Sequence, residues 1–235
     1  MTVTDGSGPQ AELVAERLAV IEDRILHAGA APGAVRVVAV TKGFGPGAVA
    51  AAVKAGLSDI GENYAQEMLR KLDAAPSGVR WHFLGELQRN KLARLAAHVY
   101  LWHGLDSDTG ADALARRCPG AAVLVEVKLS ATGHRHGVPA VKVPALVNHA
   151  SEVGLEVKGL MAVGPAQAAP AELRAGFRGV AALAGSLGLS ELSMGMSSDF
   201  ELAVAEGATI VRLGRALFGP RPGADVPRAD VTGLV

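Results

Sequence analysis

Cysteine is almost absent from this sequence, which has a single one, Cys118, among its 235 residues. An internal disulfide is therefore excluded. Because the N-terminal segment also lacks the basic-then-apolar pattern of a secretion signal, we expect a cytoplasmic protein. Cys118 stands in the segment ARRCPG, with no histidine or second cysteine at ligand spacing. This setting is typical of a structural or surface thiol rather than a nucleophile.

An excess of charge of either sign is also lacking, since 23 Lys and Arg balance 23 Asp and Glu. Without a net field, we expect neither nucleic acid nor an anionic membrane surface as a partner. No apolar run approaches the roughly 18 residues that a membrane-spanning helix needs, so no contact with the bilayer core is expected. These absences together favour a small molecule as the partner.

The sequence does contain a regular alternation of short apolar runs and alanine-rich segments of helical length. The segment from Ala11 to Ala28 has apolar residues at helical spacing and predicts an amphipathic N-terminal helix. Eight short apolar runs follow, which we interpret as strands. They begin at Val35, Leu57, Arg80, His98, Ala121, Leu155, Glu191 and Ala208.

Eight strand–helix units predict an α/β fold, a single (β/α)8 barrel of the TIM type, because parallel strands need helical crossovers and this count closes the sheet. We expect a disordered N-terminus over residues 1–8 and one barrel domain over 9–235. The alternative is an open, doubly wound sheet that binds a nicotinamide cofactor, since GFGPGA from Gly43 fits a loose dinucleotide fingerprint. Pro46 argues against it, because proline removes a backbone N–H from the anion-binding turn.

Polar residues stand where several predicted strands end. Lys42 closes the run VVAVTK, Asn63 follows the second strand, and Arg212 lies in the last. The carboxyl ends of barrel strands meet on one face, so these side chains are expected to converge. A lysine enclosed there loses hydration, which lowers its pKa and frees its amine as a nucleophile. The structural alternative is that Lys42 reaches solvent or pairs with Glu62.

The segment VRLGRALFG near the C-terminus predicts a phosphate site. Gly214 and Arg215 begin a short helical turn after the last strand, and the loops after strands seven and eight hold phosphate in many barrels. Ser197 or Ser198 would add a hydroxyl from the neighbouring loop. The structural alternative makes Ser198 a helix N-cap, with Glu201 completing a capping box. A nucleophilic lysine opposite a phosphate site suggests a Schiff base with pyridoxal 5′-phosphate (PLP).

Six segments spread over nearly the whole chain strengthen this hypothesis: VAVTK, GENYAQE, WHFLGELQRNK, GLMAV, LSMGMSSDFELA and VRLGRALFG. Together they resemble the pyridoxal phosphate homeostasis protein family, whose barrel is similar to that of alanine racemase. The resemblance implies PLP as the cofactor and a role as a cytoplasmic PLP carrier or regulator. It also implies PLP-dependent apoenzymes as recipients, and we expect a monomer.

The resemblance implies a cofactor contact for each of six residues. They are Lys42 as the Schiff-base lysine, Asn63 beside the ring, Ser197, Gly214 and Arg215 at the phosphate, and Arg212 at the pyridine nitrogen. Family members often have Thr or Ala in place of Arg215, so here its backbone is the expected phosphate donor. No metal is expected.

The loop after the fifth strand departs from the family, which commonly has Asn, Glu and Lys before a glycine. The corresponding residues here are Lys128, Thr132, Arg135 and Gly137. Only the glycine fits, so no function is assigned to this loop. His134 and His136 alternate there without an adjacent carboxylate or third histidine, and we expect loop histidines rather than metal ligands.

The alternative function is a PLP-dependent amino-acid racemase. In the racemases that this barrel resembles, a tyrosine from a second, β-rich domain of the partner subunit supplies the opposite base. This sequence leaves no residues for such a domain after the eighth unit, and its only tyrosines are Tyr64 and Tyr100. Two-base racemisation needs a group on each face of the substrate, so we expect little or no racemase activity.

Overall fold

The fold is taken from a computed structural model, which describes residues 9–129, 136–165 and 167–221. The predicted disordered segment 1–8 lies outside the described residues. So do the loop positions Thr132, His134 and Arg135.

Eight parallel strands pair in sequence order and close into a barrel. They are β1 (Arg36–Val40), β2 (Asp59–Glu62), β3 (Arg80–Phe83), β4 (Val99–Leu105), β5 (Ala122–Val127), β6 (Glu156–Ala162), β7 (Glu191–Met196) and β8 (Ile210–Leu213). Strand β8 pairs with β1, where Val38 lies opposite Arg212. All eight predicted strands and the TIM-type barrel are confirmed. The open doubly wound sheet is wrong, because this sheet closes on itself.

Helices surround the barrel. They are α1 (Ala11–His27), α2 (Pro46–Lys54), α3 (Ala65–Leu72), α4 (Arg89–Leu95), α5 (Asp108–Ala115), α6 (Val143–Glu152), α7 (Pro170–Ser186), α8 (Phe200–Ala205) and α9 (Arg215–Phe218). The extra helix α1 packs against α2, α8 and α9, over the seam where the first and last units meet. Among the described helices none is suited to span a membrane, and the longest two have 17 residues each.

Alternate residues of each strand point into the barrel, as the period of two requires. Along β8, Arg212 points inward, whereas its neighbours Val211 and Leu213 pack outward against the helices. The inner apolar residues form a small cluster of their own: Val38, Leu101, Leu124, Met161 and Ile210. The polar side chains that share the interior are therefore surrounded by apolar neighbours and shielded from water.

Candidate functional site

A cavity of about 700 Å³ opens at the carboxyl ends of the strands. This volume lies within the range of about 300–1,000 Å³ that is usual for small-molecule sites. All six residues predicted to contact the cofactor line it: Lys42, Asn63, Ser197, Arg212, Gly214 and Arg215. The structure thus brings together residues that lie as far apart in sequence as β1 and α9.

Lys42 lies two residues after the end of β1 and is partly buried at the cavity wall. Burial lowers the pKa of its amine below the ordinary value of 10.5, and the positive charges of Arg221 and Arg212 lower it further. The carboxylates of Glu62 and Glu67 oppose this shift. Nothing in the described part of the chain accepts a hydrogen bond from the amine. The neutral, nucleophilic form is therefore more accessible than in a solvated lysine.

The backbone on both sides of Lys42 is anchored from α3. The buried Lys71 amine donates to the Thr41 carbonyl oxygen at 2.8 Å and also to a carboxylate oxygen of Glu62. The Thr41 hydroxyl donates to the same Glu62 oxygen at 2.5 Å. On the other side, the Gly43 amide donates to Glu67 at 2.8 Å. The alternative in which Lys42 pairs with Glu62 is wrong, because Lys71 takes that place.

Ser197 lies against the first turn of α9. Its Oγ accepts a hydrogen bond from the Ala216 amide at 3.1 Å, which leaves its own proton available for a group in the cavity. The amide of Arg215, the first residue of α9, has no backbone acceptor among the described residues, as is usual at the first position of a helix. A hydroxyl and a backbone N–H therefore face the same corner of the cavity as Gly214.

The capping box predicted for Ser198 is wrong. Helix α8 begins after Asp199, which is its N-cap, and no side chain caps it. The Asp199 carboxylate instead accepts from the Met196 amide at 2.6 Å, within the preceding turn. Glu201 points outward and pairs with Arg24 of α1 at 2.7 Å.

Arg212 forms part of the cavity floor. One terminal nitrogen donates to the carbonyl oxygen and the hydroxyl of Ser193, both at 2.6 Å, and the other donates to the Ala162 carbonyl oxygen at 2.9 Å. Burial lowers the pKa of Arg212 to about 10, against the opposing charges of Glu126 and Asp199. The guanidinium still carries its positive charge at neutral pH. A charged donor is thus held in one place inside the barrel.

Asn63 owes its position to a glycine. A Cβ placed on Gly85, just after β3, would lie 2.0 Å from the Asn63 carbonyl oxygen, so only glycine allows the two backbones to approach this closely. The side-chain Oδ1 of Asn63 is buried, and it has no hydrogen-bond partner among the described residues. A buried acceptor of this kind fits a donor group on a bound ligand.

A second cavity, of about 560 Å³, adjoins the first and shares Asn63 and Met161 with it. Glu126 lies in its wall and is only 8% exposed. Burial raises the pKa of Glu126 to about 7, the charge of Asp106 adds to this shift, and His136 and Arg212 oppose it. The carboxyl group therefore titrates near neutral pH.

Replacing this carboxyl group should change how stability depends on pH. The folded-state pKa of Glu126 is raised from 4.5 to about 7, so its contribution to stability is complete below pH 4.5 and is lost as pH rises through 7. At about 1.4 kcal/mol per unit, Glu126→Gln should be more stable than wild type by about 3 kcal/mol near pH 8 and nearly equal near pH 4. Urea unfolding across this range measures it. An exposed control, Glu22→Gln, should show no such trend, and a gain independent of pH would contradict the assignment.

Several residues reach the site in ways that the sequence did not indicate. Arg221 lines the cavity, and its side chain lies within 3.0 Å of where a Cβ on Gly43 would be. Met161 and Met196 also line the cavity, whereas Met194 points outward into the core between strands and helices. No group of three metal-ligating side chains occurs in the described ranges.

Comparisons with known proteins agree with this geometry. The family model of the alanine racemase N-terminal domain matches residues 17–222. The pyridoxal phosphate homeostasis protein of Deinococcus radiodurans is 43% identical over 208 residues, which are 86% of this chain and 97% of that protein. The chain belongs to this family. The family member from Escherichia coli K12 is 32% identical, over 88% of this chain and 97% of that protein.

Solved structures give the same result. PipY of Synechococcus elongatus PCC7942, determined with PLP bound, is 35% identical and superposes with a TM-score of 0.77, covering 88% of this chain and 100% of PipY. Lysine decarboxylase from Selenomonas ruminantium is only 17% identical, with a TM-score of 0.66 over 89% of this chain and 61% of that enzyme. The second likeness concerns the barrel fold alone. The family predicted from the sequence segments is confirmed.

Proposed function

We propose that this protein binds PLP and acts in intracellular PLP homeostasis, as a carrier or regulator of the cofactor. The observation that carries the proposal is the cavity that joins Lys42, an amine of lowered pKa, to the donors around Ser197 and α9. PLP has an aldehyde that condenses with an amine and a phosphate that needs such donors. The PLP-bound structure of a relative 35% identical supports the same ligand.

Each residue has a distinct task in this proposal. Lys42 would hold the cofactor covalently, since its amine nitrogen can replace the aldehyde oxygen of PLP, which leaves as water. Ser197 and the backbone of Gly214 and Arg215 donate to the phosphate. Arg212 faces the pyridine nitrogen, and Asn63 accepts from a donor on or near the ring.

The charge on Arg212 sets the electronic character of the site. When bound, PLP supplies an electron sink that is strongest with a protonated ring nitrogen. A buried guanidinium beside that nitrogen disfavours its protonation, because two positive charges would lie together. The residues therefore suit retention of the cofactor better than demanding bond cleavage at an amino acid.

The proposal includes the cellular setting. PLP-dependent apoenzymes are the recipients, and the protein works in the cytoplasm as a monomer with one domain over residues 9–235. The single cysteine supports a reducing compartment. All six residues proposed to contact the cofactor belong to one chain, which supports a site that needs no second subunit.

Transfer of the cofactor tests the function directly. Protein loaded with PLP is mixed with the apo form of a PLP-dependent enzyme, and recovery of that enzyme's activity is followed against an equal total concentration of free PLP. A carrier should release PLP to the apoenzyme while keeping the free PLP concentration low. Failure of the protein to bind PLP, or its permanent retention in the presence of excess apoenzyme, would contradict the carrier role.

Racemase activity is expected to be negligible. Proton exchange at Cα by two bases needs one group on each face of the substrate, and Lys42 supplies one. Tyr64 precedes α3 at the rim of the second cavity and is 61% exposed, while Tyr100 lies early in β4, towards the other end of the barrel. Solvent deuterium incorporation into alanine and other amino acids should therefore stay well below about 1 s⁻¹.

The exchange experiment has two matched variants, Lys42→Ala and Tyr64→Phe. Faster exchange that both variants abolish would establish the racemase alternative, with Tyr64 as the second base. Exchange that persists in Lys42→Ala would show that some other group removes the proton, or that a contaminant does.

A further inference from the structure

A chain of hydrogen bonds runs through the barrel interior from Arg212 towards the opposite end. Ser193 Oγ accepts from Arg212 at 2.6 Å and lies 3.0 Å from Nδ1 of His103. Nε2 of His103 lies 2.9 Å from Nδ1 of His82, and Nε2 of His82 lies 2.8 Å from Oδ1 of Asp59. All five side chains are buried, the most exposed being Arg212 at 6%. The hydrogen bonds thereby link five strands of the barrel: β2, β3, β4, β7 and β8.

The two ends of the chain have fixed chemical roles. Arg212 can only donate hydrogen bonds. Asp59 can only accept when ionised. Burial would raise the pKa of Asp59, but hydrogen bonds from His82 and Arg80 outweigh it and hold the pKa below the ordinary value. Burial lowers the pKa of both histidines, so each is neutral at pH 7 and carries one ring proton.

These roles allow one arrangement of protons. His82 must donate from Nε2 to Asp59, so its Nδ1 accepts from Nε2 of His103. The Nδ1 of His103 then accepts the Ser193 hydroxyl proton. Ser193 Oγ is left with its lone pairs facing Arg212 and its proton turned away. In the reverse arrangement Nδ1 of His103 would donate to Ser193, whose own proton would then point at Arg212. Because a guanidinium cannot accept a hydrogen bond, Arg212 would lose its bond to Ser193 Oγ.

We propose that His82, His103 and Ser193 are positioning residues, which hold the guanidinium of Arg212 in one orientation at the cavity floor. Asp59 sets the direction in which these hydrogen bonds are donated. Asp59 begins β2 and Arg80 begins β3, so the residue that sets the direction lies at the end of the barrel opposite the cavity. The inference rests on the proposed function only in that Arg212 faces the cofactor ring. Its hydrogen bonds exist without the cofactor.

The first test uses the wild-type protein without cofactor. Long-range ¹H–¹⁵N NMR spectra distinguish the two neutral histidine tautomers and the protonated form. At pH 7, His82 and His103 are both expected as neutral rings protonated at Nε2. Finding either of them protonated at Nδ1 or on both nitrogens would overturn the proposal. This measurement needs no variant and is independent of PLP binding.

The second test compares two serine substitutions in the cofactor-free protein. Ser193→Ala removes the hydroxyl oxygen that links His103 to Arg212. Ser107→Ala removes a hydroxyl oxygen from the N-cap of α5, which takes no part in this row of hydrogen bonds. Rotation about the Nε–Cζ bond of Arg212, measured by NMR, should become several-fold faster in Ser193→Ala and stay unchanged in Ser107→Ala. Equal rotation rates in the wild type and both variants would show that these hydrogen bonds do not hold Arg212.

The loaded protein supplies a third readout. With ¹⁵N-labelled PLP, the ring-nitrogen resonance should shift in Ser193→Ala but not in Ser107→Ala. An unshifted resonance would overturn the positioning role at the cofactor. If PLP does not bind at all, the proposed function fails, while the histidine tautomers and the Arg212 rotation still decide whether the chain positions Arg212.

Discussion

Lys42→Ala should lose the covalent link to PLP while keeping weaker, non-covalent binding. The variant lacks the amine that condenses with the aldehyde, so borohydride should no longer fix the cofactor to the protein. Ser197, Gly214, Arg215 and Arg212 remain, and the contacts proposed for them at the phosphate and the ring should still hold PLP. We expect the dissociation constant to rise about 100-fold or more, which corresponds to about 2.7 kcal/mol.

Equilibrium dialysis and absorbance spectra measure both parts of this prediction. Lys91→Ala is the matched control, because Lys91 lines the adjoining cavity but not the cavity that holds Lys42. It should leave the affinity and the spectrum close to those of wild type. An unchanged spectrum in Lys42→Ala, or loss of the covalent link in Lys91→Ala instead, would show that the anchor is a different lysine.

Lys71→Met should lower the free energy of unfolding by about 3–5 kcal/mol, the usual cost of removing one partner of a buried ion pair. Lys71 is 3% exposed and Glu62 is fully buried, with Oε2 of Glu62 already unpartnered among the described residues. Burial raises the pKa of Glu62, and the hydrogen bonds from Lys71 and Thr41 oppose this. Without Lys71 the raised pKa should rise further, so the destabilisation should be smallest at low pH and grow as pH increases.

Urea unfolding of three variants tests this prediction. The double variant Glu62→Gln/Lys71→Met removes the buried charge with its partner, and it should recover about 2 kcal/mol or more of the loss. Lys54→Met, at an exposed position near the end of α2, should change stability by less than about 0.5 kcal/mol. A small effect of Lys71→Met at neutral pH, or a double variant no more stable than the single one, would contradict the pairing.

The convergence of the site residues could be predicted because it depends only on the order of strands and helices. Lys42 follows the first strand, and Gly214 follows the last. In any closed parallel barrel these positions meet on the same face. The alternation of inward and outward residues likewise places Arg212 inside without knowledge of its neighbours. Local periodicity was therefore sufficient to find the cavity and most of its polar lining.

The hydrogen bonds that the buried Lys71 makes to Thr41 and Glu62, next to Lys42, were not predicted, although the sequence contained a signal for them. In helix α3, Lys71 lies three residues after Met68, on the same buried face as Ala65. A lysine on the apolar face of an amphipathic helix indicates a buried partner. Which partner it meets depends on packing between α3 and the end of β1, thirty residues away. Spacing within the helix carries no information on that contact.

The histidine chain could not be predicted for a different reason. His82 and His103 come from neighbouring strands, whose register shifts between Trp81 and His82. Ser193 joins them from the other side of the barrel. Such contacts depend on the closure and stagger of the whole sheet. The capping box also failed: the motif was present, but α8 begins after Asp199, whose carboxylate accepts from the Met196 amide in the preceding turn.

The most direct test of the central claim is to locate the covalent cofactor in the wild-type protein. The chain is incubated with PLP, reduced with borohydride and digested, and the modified peptide is identified by mass spectrometry. We predict one pyridoxyl group per chain, on Lys42. Modification centred on another lysine, such as Lys71 or Lys91, or the absence of any stoichiometric modification, would contradict the account.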